Sequence, residues 1–69
     1  MNEIVNFLKY LHEVKFLSFP RIILYDDLSG HIEYESADHA YGLIEDVELF
    51  DFYSLEDLLI KIDEYKNEI

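Results

Sequence analysis

The sequence predicts an α+β fold of helix, two or three antiparallel strands and helix, with both helices packed on one face of a small sheet, in one domain spanning residues 1–69. Three observations carry this expectation. Apolar residues recur at helical spacing near both ends of the chain, the stretch between them alternates polar and apolar around a turn sequence, and the composition is that of a chain that folds. Hydrophobic residues make up 51% of the 69 positions, with five Phe and six Tyr, well above the range of disordered chains.

The first helix is expected from about Glu3 to Lys15, because Ile4, Phe7, Leu8, Leu11 and Val14 form one apolar stripe. Asn2 can cap it, and Glu3 sits at the positive end of its dipole. Pro20 blocks continuation and pushes Phe19 towards extended geometry, leaving Phe16, Leu17 and Phe19 as an apolar connector.

A β-hairpin follows. "RIILY" (21–25) is rich in β-branched and aromatic residues, and "HIEYE" (31–35) sets Ile32 and Tyr34 on one face against His31, Glu33 and Glu35 on the other. Between them, Asp26, Asp27 and Ser29 favour a turn, with Gly30 expected to supply positive φ. A third strand over "VELFDF" (47–52), after a turn around residues 36–42, is the favoured reading of the next segment. Its phase is imperfect, since Val47 and Leu49 oppose Phe50 and Phe52, and a bulge or burial of both faces is needed to reconcile them. The competing reading is a helix from Ala37 to Val47, which Gly42 disfavours by about 1 kcal/mol relative to Ala. The last helix is the clearest element. Ser54 is a strong cap with Asp57 three residues on, and Leu55, Leu58, Leu59, Ile62, Tyr65 and Ile69 form its stripe.

The charge is concentrated. The net charge is −11, and residues 22–60 hold eleven Asp or Glu with no Lys or Arg. Residues 1–21 carry two acids against three bases and residues 61–69 three against two, so the middle segment supplies the whole of the imbalance. A field of this sign repels nucleic acid and anionic membranes and attracts basic surfaces and cations. Direct nucleic-acid binding and membrane binding are therefore not expected. The N-terminal stretch has no basic start followed by a clean apolar run, and "FLSFPRIILY" is too short to span a bilayer, so the expected location is cytoplasmic. The absence of Cys rules out disulfides and fits a reducing compartment.

Sites of chemistry are few. Ser36 precedes His39, but no nucleophile elbow surrounds it. His31, Glu33, Glu35, Asp38 and His39 are of metal-ligating types, yet their spacing matches no metal motif and reads as a polar strand face followed by a polar turn. Carboxylate pairs at Asp26–Asp27 and Glu45–Asp46 suit acid–base work only inside an enclosed pocket, for which a chain this short has little room. His12 reads as a boundary or core residue. Phe7, Phe50 and Phe52 read as core, with Tyr10, Tyr25, Tyr34 and Tyr65 at core edges. No catalytic residue, metal or cofactor is expected.

Within the middle segment, Glu56 and Asp57 serve the helix N-terminus, whereas Glu45, Asp46, Glu48 and Asp51 have no such role. Solubility and adaptation to high salt are two explanations of the surplus; binding to a basic surface is the third and the favoured one. The expectation is a small non-enzymatic protein that binds and modulates a basic nucleic-acid-binding protein through Asp26, Asp27, Glu33, Glu35, Asp38, Glu45, Asp46, Glu48 and Asp51. Size and charge are like those of nucleic-acid mimics of phage and mobile elements, such as anti-restriction, anti-CRISPR and glycosylase-inhibitor proteins. The alternative is a small intracellular interaction module or homo-oligomeric regulatory subunit without mimicry, using the "FLSF" connector or an open sheet edge.

Overall fold

A computed structural model describes residues 2–38 and 42–67. The order is α1 (Asn2–Glu13), β1 (Ser18–Leu24), β2 (Gly30–Asp38), β3 (Leu43–Phe52) and α2 (Leu55–Asn67). The three strands form one antiparallel sheet in the order β1-β2-β3, and both helices contact it, α1 against β1 and α2 against β3. The α+β architecture expected from the sequence is the one observed. Among the described residues no helix is long and apolar enough to cross a membrane.

The core is small and one-sided. Ile4, Phe7 and Leu11 from α1, Ile32 and Phe52 from the sheet, and Leu58 and Ile62 from α2 are the buried side chains among the described residues. Phe7 is the hub. Its ring lies 5.5 Å from that of Tyr65 in an edge-on arrangement and 6.0 Å from that of Phe50, within the range in which aromatic pairs add to simple burial. The stripes are narrower than the spacing suggests. Val14 lies beyond the end of α1 and is exposed, and Leu55 and Leu59 of α2 are exposed while Leu58 and Ile62 are buried. Two helices on three strands enclose only the central line of each stripe. Ile69 lies outside the described residues.

Three local geometries differ from expectation. Helix α1 stops at Glu13 rather than Lys15, because the chain unwinds: Val14 and Lys15 both donate to the Tyr10 carbonyl, and Leu17 N–H returns to Leu11 O at 3.0 Å. Phe16 takes φ 58° in this exit, the left-handed position usually filled by Gly. Phe19 is also left-handed, at φ 50°, rather than extended. It lies in the irregularity between Ser18 and Arg21, where Pro20 removes no ladder bond. In the hairpin, Gly30 does not supply the positive φ; Leu28 does, at 69°. Gly30 is required for a different reason, since a Cβ there would meet the Ile23 carbonyl oxygen at 1.9 Å and the Phe52 ring at 3.0 Å.

Within the segment 36–53, the described residues up to Asp38 and from Leu43 to Phe52 are strand. β2 continues to Asp38 and β3 starts at Leu43, so residues 36–38 are strand rather than turn, and Ala37, Ile44 and Val47 lie in strands rather than in the competing helix; His39, Ala40 and Tyr41 lie outside the described residues. The phase conflict is resolved by a bulge. Ile32 pairs with Phe50 and Glu33 with Glu48, leaving Leu49 as the extra residue of β3. Leu49 and Phe50 both pack against the core as a result. At α2, Asp57 N–H donates to Ser54 Oγ (3.1 Å) and Asp57 Oδ2 accepts from Tyr53 N–H (3.0 Å), the expected capping box displaced by one residue.

Two substitutions test these assignments in thermal and denaturant melts. Gly30→Ala forces backbone to move and is expected to cost about 3 kcal/mol. Phe16→Gly relieves a left-handed L-residue and is expected to stabilise by about 1 kcal/mol.

Candidate interaction face

Because both helices cover one side of the sheet, the strand register fixes what the other side presents. Residues on β2 alternate, so the burial of Ile32 places His31, Glu33, Glu35 and Ala37 on the helix-free face. Their partners are Ile23, Arg21 and Ser18 on β1 and Asp51, Glu48, Asp46 and Ile44 on β3. Glu33, Glu35, Asp46, Glu48 and Asp51 therefore share one face, and Arg21 is the sole Lys or Arg among these residues. Two cross-strand pairs, Glu33↔Glu48 and Glu35↔Asp46, are like-charged, an arrangement that costs a sheet stability.

Arg21 offsets part of that cost. From β1 its guanidinium reaches both other strands. It is ion-paired to Glu33, lies 2.6 Å from Asp46 Oδ1 and approaches Glu35 at 3.6 Å. The hydrogen bond that Arg21 donates to Asp46, ahead of the one it donates to Glu33, raises the guanidinium pKa further. Glu33 is the best enclosed of the three carboxylates, with 13% of its side chain exposed against 63% for Asp46. His31 completes a chain of contacts, with Nε2 2.6 Å from Glu33 Oε1 and Nδ1 3.0 Å from the Tyr25 hydroxyl. With neutral imidazole, Nε2–H donates to the carboxylate and Nδ1 accepts from Tyr25 O–H. The His31 hydrogen bond, followed by Arg21, holds the Glu33 carboxyl below its ordinary value, against desolvation.

The other sequence-level candidates separate. Asp27 is a turn residue: Ser29 N–H and Oγ–H donate to its Oδ1 at 3.0 and 2.5 Å and hold its pKa low. Asp26 is exposed beside it, at the hairpin tip. Glu45 pairs with Ser36 and so falls on the opposite side of the strand from Asp46. The side chain of Asp38 and all of His39 lie outside the described residues, and with them the Ser36–His39 pairing and that part of the metal set. Among the described residues no group of three or more His, Asp or Glu is arranged to hold a metal ion. His12 is exposed and bonds the Leu17 carbonyl at the helix exit. Sequence reasoning missed Arg21 as the organiser of the acidic strands. The signal was present in its place directly before the segment without basic residues, but the three carboxylates it meets are 12, 14 and 25 positions away.

Next to the acidic face is a shallow hollow of about 190 Å³ at the hairpin end, lined by Tyr25, Ser29, His31, Glu48, Asp51 and Tyr53. Tyr53 is exposed, and Lys61 lies 5.3 Å from its ring centroid. Comparison with protein-family models, curated proteins and solved structures gives no match for this chain.

Two stability measurements test this electrostatic description. A depressed folded-state pKa means that Glu33 stabilises the fold at pH values above its unfolded pKa and loses that contribution as pH falls through the folded one. The melting midpoint of the parent should exceed that of Glu33→Gln at pH 7, and the gap should shrink below the ordinary carboxyl value of 4.5 and close further down. Arg21→Met should lower the midpoint most at low salt. The gap should narrow as potassium chloride screens the remaining carboxylates, since the Debye length falls to about 8 Å at physiological ionic strength.

Proposed function

We propose that this is a non-enzymatic binding protein whose helix-free sheet face occupies the basic surface of a nucleic-acid-binding protein and blocks or modulates it. The carrying observation is the strand register, which gathers Glu33, Glu35, Asp46, Glu48 and Asp51 on one uncovered face with Arg21 as their single guanidinium. A basic groove meeting this face replaces cross-strand repulsion with charge-assisted hydrogen bonds. The carboxylates stand in for phosphates, in the manner of the small acidic inhibitors carried by phage and mobile elements. Asp26 is exposed at the hairpin tip, whereas Asp27 serves the turn and Glu45 the other side of the strand.

The test is a competition. The protein is immobilised and used to capture lysate proteins, and duplex DNA and RNA are then offered as competitors at two salt concentrations. Glu48→Gln with Asp51→Asn leaves the close pairs of Arg21 intact and should weaken capture about tenfold or more. Asp63→Asn with Glu64→Gln removes equal charge from exposed positions of α2 and should not. Equal capture by both variants, or no displacement by nucleic acid, overturns the proposal.

A second reading has its own observation. Phe16 and Phe19 are 84% and 71% exposed and both have left-handed backbones, a costly way to present two rings to solvent. They favour an interaction module or homo-oligomer that uses the connector. In that case Phe16→Ser with Phe19→Ser abolishes association in sedimentation experiments while Glu48→Gln with Asp51→Asn leaves it unchanged.

A further inference from the structure

The sheet has two edges, and they are not equivalent. On β1, Pro20 lacks an N–H, Phe19 is left-handed and the register breaks between Ser18 and Arg21. That edge is blunted against pairing. β3 is ten residues long, contains no proline and, among the described residues, has β2 as its single strand neighbour.

Which backbone groups β3 offers follows from the hairpin. Tyr25 N–H donates to Ser29 O at 2.8 Å, one of the two bonds of a hydrogen-bonded pair, which sets the bonded phase of the ladder at 25 and 29 although Ser29 N–H turns to Asp27. Antiparallel pairs alternate between bonded and non-bonded. Ile23↔His31 and Arg21↔Glu33 are then bonded pairs, and the even residues of β2 turn their backbone groups towards β3. Their partners on β3 are Leu43, Glu45, Val47, Phe50 and Phe52. The backbone groups of Ile44, Asp46, Glu48 and Asp51 consequently point outward. An independent contact agrees: Lys61 Nζ donates to the Asp51 carbonyl at 2.6 Å, which closes the edge at that end and leaves Ile44 to Glu48 open.

These outward-facing residues are also the ones whose side chains lie on the acidic face. Resting on the proposed reading of that face, we propose that β3 receives a basic, extended segment of the partner as a fourth, antiparallel strand. Each bonded residue of the added strand would lie directly opposite Glu48, Asp46 and Ile44 in turn. The recognised pattern is therefore Lys or Arg at two alternate positions followed, two residues later, by an apolar residue. A second copy of this chain is a poor occupant. β3 carries four carboxylates and no base, so β3 against β3 sets acid against acid. The same charges that bar self-pairing select a basic strand.

The experiment uses a short synthetic peptide with Arg at alternate positions and Thr and Val between, titrated into the isotope-labelled protein at low salt. Binding should slow amide hydrogen exchange at Ile44, Asp46 and Glu48 and leave β1 unchanged. Two changes remove hydrogen bonds without touching charge: N-methylation of the peptide at the Arg residues, and Ile44→Pro, which deletes one outward N–H and leaves the β2–β3 ladder in place. Each should weaken binding about tenfold. The methylated peptide gives its answer on the parent protein even if Ile44→Pro fails to fold. Binding that follows charge alone, with no amide protection and no effect of methylation, overturns strand addition while leaving the acidic-face reading intact. Dimers formed through β3 overturn it in favour of a second copy. Peptide binding lost together with nucleic-acid competition in the capture assay removes the underlying reading as well.

Discussion

Phe7 lies where α1, β3 and α2 meet, and its burial sets the terms for the rest of the molecule. With Phe50 and Tyr65 around it, one ring ties both helices to the sheet. A chain of 69 residues buries only about 60% of the surface its unfolded form exposes. It has material for one layer of core and no more. The helices therefore cover one face, the outer members of both apolar stripes remain exposed, and the other face of the sheet is left to water and to whatever binds there.

That uncovered face is held by charge where packing is absent. Arg21 joins β1 to carboxylates of β2 and β3, and His31 with Tyr25 extends the chain of contacts along the hairpin. Exposed ion pairs contribute little individually. Their value here is that one guanidinium meets a field of like charges on neighbouring strands, so each contact also removes a repulsion. Glu48 and Asp51 have no ion pair described, and they stand beside the open edge of β3. Fold and proposed function thus draw unequally on one acidic set: Glu33 is enclosed within the sheet, Asp46 pairs with Arg21 yet stays 63% exposed, and Glu48 and Asp51 face outward.

The backbone shows a second division. Phe16, Phe19 and Leu28 adopt conformations that Gly or Asn usually takes, while Gly30 occupies a position where only a missing Cβ prevents collision with the facing strand backbone. The strain at Leu28 belongs to the turn closed by Tyr25, Asp27 and Ser29. The strain at Phe16 and Phe19 belongs to the passage from α1 into a bulged edge strand. Both sites lie at chain reversals, where the route between packed elements outweighs the preference of the individual residue.

Local pattern was enough to read the helices, the hairpin, the Ser54 cap and the solvated face of His31, Glu33 and Glu35, because each rests on spacing within a few residues. It also showed that the phase of β3 needed a bulge, although the bulge could be placed at Leu49 only once Ile32 and Glu33 had partners across the sheet. The acidity of residues 22–60 was plain from the sequence, but its division was not. Whether a carboxylate is neutralised by Arg21, engaged in a turn like Asp27, set on the far side like Glu45 or left outward like Glu48 depends on register, which is fixed by pairing between residues distant in the chain. The sequence by itself therefore determined the elements and the sign of the surface. The tertiary structure alone decided which charges share a face and which strand edge stays open, because cross-strand contacts and backbone direction are properties of two strands together.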